Sequence, residues 1–226
     1  MARAQVYGKP ASHVVALWRQ QAKKAVVVLG GAVLLALSAT ALFGAGGLMF
    51  GAVAALLAVA WVQVDIRPKL GRLSAGLNAE RKVGRMLERC GAIVVLHGLD
   101  IDGRGGDADH TVVGPVLAVV ETKHGHGKVH VTGDGTVKVG RKTLSRSPLE
   151  QVRRQARKVS HVAGITATPV LCVADATSKP FQRDGVWVCG VDQLGPVLAA
   201  LPRLFSPEQA QQLAARMWDN RFDRDR

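Results

Sequence analysis

GGDADHTVVGPVLAVVETK, residues 105–123, is the stretch of sequence that decides the fold. It holds two β-rich apolar runs, 109–113 and 117–123, on either side of the turn signal Gly114-Pro115. Short runs of this composition around a Gly-Pro pair predict a β-hairpin. Asp109 opens the first strand, and Glu121 and Lys123 close the second.

The register of this hairpin determines whether its polar residues meet. Side chains alternate between the faces of a strand, so Glu121 and Lys123 point the same way. A two-residue connection would pair Asp109 with Val120, on the wrong face, because a slip of one residue reverses every side chain. A three-residue connection, residues 114–116, pairs Asp109 with Glu121. We therefore predict the three-residue loop.

Two carboxylates on one face favour a hard divalent cation such as Mg²⁺, which takes oxygen ligands. Such an ion can polarise a phosphoryl oxygen, and a nearby Lys123 can orient water or stabilise the developing charge. The pattern predicts phosphodiester hydrolysis. The alternative is a surface ion pair between Glu121 and Lys123. Asp107 shares the face of Asp109 and is an alternative ligand.

Further motifs flank the hairpin. Residues 76–90 predict a helix that ends at Gly91, with Val83, Leu87 and Cys90 on its buried stripe. After the hairpin, the run from Ser147 to Glu150, with Pro148 at the first turn, predicts a helix opened by a capping box.

These motifs, in this order, resemble the nuclease-related domain, NERD, a branch of the PD-(D/E)XK nuclease superfamily. They are G-x-x-A-E at 76–80, D-H-x-V-V-G-P at 109–115, E-T-K at 121–123 and S-P-x-x-Q-x-x-x-Q at 147–155. The resemblance covers residues 76–174. It implies an α/β, restriction-endonuclease-like core, with a mixed sheet flanked by helices, and a nuclease dependent on Mg²⁺ or Mn²⁺.

The resemblance also implies roles for individual residues. Asp109 and Glu121 match the metal-binding acids, and Lys123 matches the lysine that orients the attacking water. Glu80 matches the acid of the first helix, and Gln151 the glutamine of the helix after the hairpin.

Charge and helix geometry indicate the partner. The formal net charge is +13, and beyond Val64 the excess is still eight positive charges, which suits nucleic acid, here taken as DNA, or an anionic membrane surface. Arg154 and Lys158 lie near the side of Gln151 and Gln155 on their helix, where they could contact flanking phosphates. The alternative is an ordinary solvated basic face.

No charged residue occurs from 25 to 64. That length predicts two transmembrane helices, 25–43 and 46–64, with a turn marked by Gly44, Gly46 and Gly47. Cationic residues precede and follow the pair and none lies in the turn, so both termini are expected in the cytoplasm, at the cell membrane. The alternatives are a buried helical hairpin in a soluble protein and a secretory signal peptide.

The predicted organisation has five parts. Residues 1–24 form a cytoplasmic segment, 25–64 the transmembrane hairpin, 65–75 a linker, 76–202 the nuclease-related domain, and 203–226 a C-terminal helix and tail. Within the domain we predict strands at 93–97, 129–132, 136–139, 169–173 and 186–189, and helices at 191–201 and from Ser206-Pro207 to about Trp218.

Histidines and cysteines complete the set of candidate ligands. His124, His126 and His130 could suggest zinc, but the intervening glycines, Gly125 and Gly127, predict a flexible, solvated turn, and no cysteine accompanies it. His110 is expected in the core. The three cysteines have no metal-ligand spacing and predict buried or free thiols.

The function predicted from the sequence is a membrane-anchored, metal-dependent nuclease. One alternative is a catalytically silent, membrane-tethered module that binds nucleic acid or acts as a scaffold. Another makes the hairpin itself the working part, as an oligomerising or lipid-sensing element, because Gly30, Gly31, Gly51 and Ala54 permit close helix packing.

Overall fold

The structure is a computed structural model that describes residues 4–9, 12–90, 94–101, 103, 107–144 and 147–221. Four positions named above, Gly91, Ile93, Gly105 and Gly106, lie outside these residues, as does the end of the tail. The chain divides into two compact units. One is His13–Ala75, and the other joins the described residues at the start of the chain to those from Gly76 onward.

The first unit is built on α1, Ser12–Trp61, an apolar helix near the N-terminus. Its most apolar window has a mean hydropathy of 2.4, and none of that window is buried inside the protein. We predicted two separate helices, whereas the structure has one long helix with a single non-helical residue, Gly44, at φ 58° and ψ −132°. A long, exposed, apolar helix is a weak sign of membrane association.

The chain folds back on itself at Gly44. A Cβ on Gly51 would lie 2.7 Å from Cα of Ala36. Residues fifteen apart in a straight helix would be about 22 Å apart, so the two halves of α1 pack against each other. Gly51 thus allows the close approach that its size predicted, whereas a Cβ added to Gly30 or Gly31 would have no neighbour within 4 Å.

Helical structure continues through the stretch predicted as a linker. Val62–Ile66 forms a π-helical turn, and α2 follows as Arg67–Arg89. The helix predicted to open at residue 76 therefore starts nine residues earlier. Val83 and Leu87 are fully buried, as predicted, but Cys90 is exposed. Cys90 lies just past the end of α2, so the helical stripe does not extend to it.

A seven-stranded mixed sheet forms the second unit, in the order β1-β2-β3-β4-β8-β10-β9. Its strands are β1 Gln5–Tyr7, β2 Val94–Leu99, β3 Ala108–Val113, β4 Leu117–Gly127, β8 Thr168–Ala176, β9 Phe181–Arg183 and β10 Val186–Gly190. A smaller antiparallel sheet contains β5 Val129–Val131, β6 Val137–Val139 and β7 Lys142–Thr143. The mixed sheet and its helices agree with the predicted α/β nuclease-like architecture.

The large sheet contains both parallel and antiparallel pairs. β1 is parallel to β2, β2 to β4 are antiparallel neighbours, β4, β8 and β10 are parallel, and β9 is antiparallel to β10. The edge strand β1 comes from the segment predicted to be a separate N-terminal part. Sequence reasoning missed it because three residues carry too little pattern to predict a strand.

The predicted register of the β3–β4 hairpin is confirmed. Val113 pairs with Leu117 and His110 with Val120, which leaves residues 114–116 as the three-residue loop. The backbone N–H of Gly114 donates to the carbonyl of Val116 across this turn. The hairpin therefore has the geometry needed to bring the predicted acids together.

Helices cover both faces of the large sheet. The other three are α3 Pro148–Ala163, α4 Val191–Ala199 and α5 Pro207–Asp219. Buried side chains of α3 and α5, such as Leu149 and Leu213, share one apolar core, and those of α2 and α4, such as Leu87 and Leu194, share the core on the other face. The C-terminal helix is thus part of the same packed unit.

The two Ser-Pro helix starts differ. At Ser206 the side chain accepts from the backbone N–H of Gln209, whose own side chain accepts from the Ser206 N–H, so a capping box is present. Ser147 makes no side-chain cap hydrogen bond, so the capping box predicted there with Glu150 is wrong. Glu150 instead lies 3.4 Å from Arg153 and 3.1 Å from Arg157.

Candidate active site

The β3–β4 hairpin brings the first two predicted site residues together. Carried one residue beyond the His110–Val120 pair, the register sets Asp109 opposite Glu121. The backbone N–H of Thr122 donates to Oδ2 of Asp109 at 2.7 Å. This bond holds the Asp109 carboxylate against β4. Sequence patterns could not reveal it, because any residue at position 122 other than proline would supply the N–H.

Lys123 joins the hairpin to helix α3. Its Nζ donates to Oε1 of Glu121 at 2.5 Å and to Oε1 of Gln151 at 3.3 Å. Glu121 is buried, with 1% of its surface exposed, while Lys123 is partly exposed. Gln151 lies in the first turn of α3, which packs on this face of the sheet. The ammonium group is therefore held between Glu121 on the strand and Gln151 on the helix, and the Lys123 side chain stays partly exposed to solvent.

Glu80 is a third carboxylate that influences Asp109. Glu80 is buried in α2 and is close enough to influence Asp109 electrostatically. Burial, then the charge of Glu121, then that of Glu80 raise the pKa of Asp109 well above its usual range. The Thr122 N–H and the Lys123 ammonium oppose this rise only in part. Burial and the neighbouring acids thus disfavour the charged form of Asp109 more than its donors favour it.

The donor set fits a divalent cation. Oε2 of Glu121 is buried and has no hydrogen-bond partner among the described residues. A buried oxygen in this state carries a desolvation cost of about 1–3 kcal/mol, which a bound cation would remove. The crowded groups are carboxylates, the oxygen ligands that Mg²⁺ and Mn²⁺ prefer. Asp109 and Glu121 are the residues that could hold such an ion.

Gln155 is a buried polar residue of α3 to which the sequence analysis gave no role of its own. It is almost fully buried, and its Nε2 donates to the backbone carbonyl of Asp107 at 2.8 Å. The bond ties α3 to the residue that precedes β3. The available signal was the second glutamine of the S-P-x-x-Q-x-x-x-Q pattern. The Asp109 carboxyl is the one that the hairpin register places near Glu121 and that interacts with Glu80.

Arg154 and Lys158, the two residues predicted to contact phosphates, both lie on helix α3. Arg154 is exposed and Lys158 is half-buried. The neighbouring acid, Glu150, pairs with Arg153 and Arg157. The contact of Gln151 with Lys123 directs the start of this helix toward the site.

His110 lies in the core, as predicted. It pairs across the strands with His97, and their Nδ1 atoms are 2.7 Å apart, so one ring donates a hydrogen bond to the other. Burial, followed by the neighbouring His97, lowers the pKa of His110 well below its usual range. Burial favours the neutral form of both rings, which fits a core position.

The fold is consistent with a nuclease-like α/β domain, and its hairpin brings Asp109 and Glu121 near Lys123 and Gln151. Residues 75–174 match the family model described as NERD, nuclease-related domain. The match spans just under half of the chain and includes all seven residues predicted for catalysis, metal or nucleic acid. It supports a nuclease-like function for this part of the protein. No curated protein and no solved structure matches the chain significantly.

Proposed function

We propose that this protein is a membrane-anchored nuclease that depends on Mg²⁺ or Mn²⁺ and hydrolyses phosphodiester bonds of nucleic acid. The observation that carries the proposal is the contact of Lys123 with Glu121 and Gln151 beside the Asp109 carboxylate. A surface ion pair would account for Lys123 and Glu121 alone. It would not account for a buried glutamate with an unpartnered oxygen next to a second, crowded acid.

Asp109 and Glu121 would hold the divalent ion in this mechanism. When bound, the ion would polarise the scissile phosphoryl group and lower the pKa of a water molecule, which is the chemistry that hydrolysis requires at neutral pH. Glu80, which already acts electrostatically on Asp109, would help to position the ion or the water. Burial keeps these acids in a medium where charges act more strongly than in bulk water.

Lys123 would act on the attacking water and on the charge that develops at phosphorus. Its Nζ has three protons, of which one is donated to Glu121 and one to Gln151. The third can donate toward the reacting group on the partly exposed side. Gln151 is then a positioning residue, because its carbonyl oxygen fixes the direction of the ammonium group. A donor already oriented before the reaction stabilises developing charge without reorganisation.

The substrate class follows from charge. Arg154 and Lys158, on the same helix as Gln151, would contact the phosphates on either side of the cleaved bond. Such contacts give affinity that falls with salt but no sequence preference. We take DNA as the substrate, and RNA is one arm of the test.

The cleavage test uses the full-length chain in detergent, because β1 from the N-terminus belongs to the sheet and a fragment starting after α1 would lose it. Labelled single- and double-stranded DNA and RNA are incubated with Mg²⁺, Mn²⁺ or EDTA. The variants are Asp109→Ala and Lys123→Ala. Lys138→Ala, an exposed lysine on β6, is the matched control.

Metal-dependent cleavage that both site variants lose and the control retains would support the nuclease and identify its substrate. A contaminating nuclease would not respond to Lys123→Ala. Binding without cleavage in every metal, unchanged by either site variant, would leave the tethered nucleic-acid-binding module as the better description.

For the membrane segment we propose two spans, residues 25–43 and 46–64, with both termini and the nuclease-like domain in the cytoplasm. Support comes from the fold-back at Gly44, from the close approach of Gly51 to Ala36, and from the exposure of the apolar side chains of α1. A single cysteine at position 45, in a chain whose natural cysteines are replaced, should react with a membrane-impermeant maleimide added to intact cells. A cysteine at position 221 should react only after lysis. Reaction at position 221 in intact cells would refute this topology.

A further inference from the structure

Strand β4 continues beyond the catalytic lysine. The segment around Gly125 was predicted to be a flexible turn, but β4 runs to Gly127 and pairs with β8 up to its end. The pairing has an irregularity between Lys123 and His126, after which His126 lies opposite Asp175. His124 and His126 therefore lie on a paired strand and not in a flexible turn.

The strand pairing gathers three metal-ligating side chains. His124 and His126 of β4 and Asp175 of β8 each have a ligand atom within 4.8 Å of the others. Nε2 of His124 is 4.0 Å from Oδ2 of Asp175, and the two imidazole rings meet edge to face. His130, the third histidine of the sequence pattern, lies on β5 opposite Lys138 and does not join the cluster. Asp175 is thus the third residue of the cluster, where the sequence pattern had suggested His130.

The cluster is held from both sides. Nζ of Lys82 donates to Oδ1 of Asp175 at 2.7 Å and to the carbonyl of Ala174 at 3.2 Å. That bond fixes the carboxylate and leaves its other oxygen on the side of His124. Between the histidines, a Cβ on Gly125 would lie 2.8 Å from Cγ1 of Val139. The glycine lets β4 pack tightly against β6 at this point.

We propose that His124, His126 and Asp175 form a second metal site, specific for divalent ions that favour imidazole, such as Zn²⁺. Two imidazoles and one carboxylate are a usual set of three protein ligands for zinc, with a fourth position left for water or another ligand. Mg²⁺ would bind poorly, because it prefers oxygen donors and Asp175 is the single carboxylate in the cluster.

The geometry needs one small adjustment. Bonds of about 2.0–2.1 Å in a tetrahedral site place ligand atoms about 3.4 Å apart, so the cluster must contract slightly. His126 is exposed and can rotate inward, while the partly buried His124 and Asp175 are held by the strands.

The site is separate from the proposed nuclease centre in its residues and in its ligand chemistry. It does not rest on nuclease activity, and its test measures binding alone. Full-length protein without a histidine tag is titrated in detergent with Co²⁺, whose visible absorption reports low-symmetry coordination, and then with Zn²⁺ in competition. The background is Cys90→Ser, because that exposed thiol could bind either ion.

With excess Mg²⁺ present to fill the carboxylate centre, we expect one equivalent of Co²⁺ that Zn²⁺ displaces, with an apparent affinity that falls about tenfold or more in His126→Ala and in Asp175→Asn. His130→Ala, the matched control, and Glu121→Gln, which alters the nuclease centre, should bind as the parent does. If Asp175→Asn lowers the melting temperature, the exposed position His126 decides the result. The proposal is overturned if no saturable binding occurs, or if His126→Ala and His130→Ala weaken binding equally.

Discussion

Replacing Asp109 by Asn should stabilise the protein without metal and destabilise it, relative to the parent, when Mg²⁺ is present. Asn is nearly isosteric, and its side-chain carbonyl can keep the bond from the Thr122 N–H. What it removes is a buried charge that Glu121 and Glu80 repel. The parent chain tolerates this repulsion because the same charge serves to bind the ion.

The size of the effect can be worked from the site. Opposite residues of an antiparallel pair have Cβ atoms about 5 Å apart, and two unit charges at about 5 Å repel by about 3 kcal/mol at an effective dielectric constant of about 20. Attraction to Lys123 and the raised pKa of Asp109 relieve part of this repulsion. We expect a net gain of about 1–2 kcal/mol in EDTA, which raises the melting temperature by about 3–6 °C.

Metal should reverse the order of stability. At a Mg²⁺ concentration about a hundredfold above its dissociation constant, the parent gains about 2.7 kcal/mol, and Asp109→Asn should gain much less because it lacks one anionic ligand. The assay is thermal unfolding of full-length protein in detergent, followed by tryptophan fluorescence, to which Trp187 and Trp218 of the sheet unit contribute, with EDTA or with Mg²⁺. Asp107→Asn, two residues earlier, is the matched control.

Two results would refute this reasoning. If Asp109→Asn melts below the parent in EDTA, the crowded carboxylates do not destabilise the fold. If Mg²⁺ raises the melting temperature of the parent and of Asp109→Asn equally, while Asp107→Asn loses the response, then Asp107 is the ligand.

Three other predictions concern pH, helix capping and strand packing. The pKa of Asp109 is raised in the folded state, so the stability it contributes is fully present below the unfolded pKa and is lost as pH rises through the folded pKa. The difference in melting temperature between Asp109→Asn and the parent in EDTA should therefore shrink as the pH falls from about 7.5 to about 5. A difference that grows over this range would contradict the raised pKa. Ser206→Ala removes a capping box and should lower the free energy of unfolding by about 1 kcal/mol. Ser147→Ala, at a helix start without a side-chain cap bond, should lower it much less in the same measurement. Equal losses would contradict this difference between the two helix starts. Gly125→Ala places a methyl group 2.8 Å from Cγ1 of Val139 and should lower the free energy of unfolding by about 1–3 kcal/mol through overpacking. Adding Val139→Ala should recover part of this loss. No recovery would show that the contact with Val139 is not the cause.

Much of the candidate site could be predicted because its residues are close in sequence. Asp109, Glu121 and Lys123 lie on one hairpin, and a hairpin's register follows from the length of its loop and the alternation of its strands. The apolar helical segment from 25 to 64 could also be predicted, because forty residues without a charge are compatible with few structures. Gly44 was among the glycines predicted to mark its turn.

Local patterns were less reliable where competing contacts decide. The Ser147 start has the residues of a capping box, yet Glu150 engages arginines one and two turns along α3 instead. Cys90 fits the helical spacing of Val83 and Leu87 but lies past the end of α2 and is exposed. In both cases the pattern described one available arrangement, and a neighbouring interaction or the end of the helix selected another.

The sequence by itself determined the hairpin that carries the acids and the lysine, and the length of the apolar segment, because short-range alternation and composition specify both. Only the tertiary structure decided which distant segments meet. β1 joins the sheet beside β2, Gln155 reaches back to Asp107, and Asp175 comes to lie beside His124 and His126. The reason is physical: parallel strand pairing joins segments that are tens of residues apart, and the register of such a pair depends on the packing of the whole sheet and not on any local pattern.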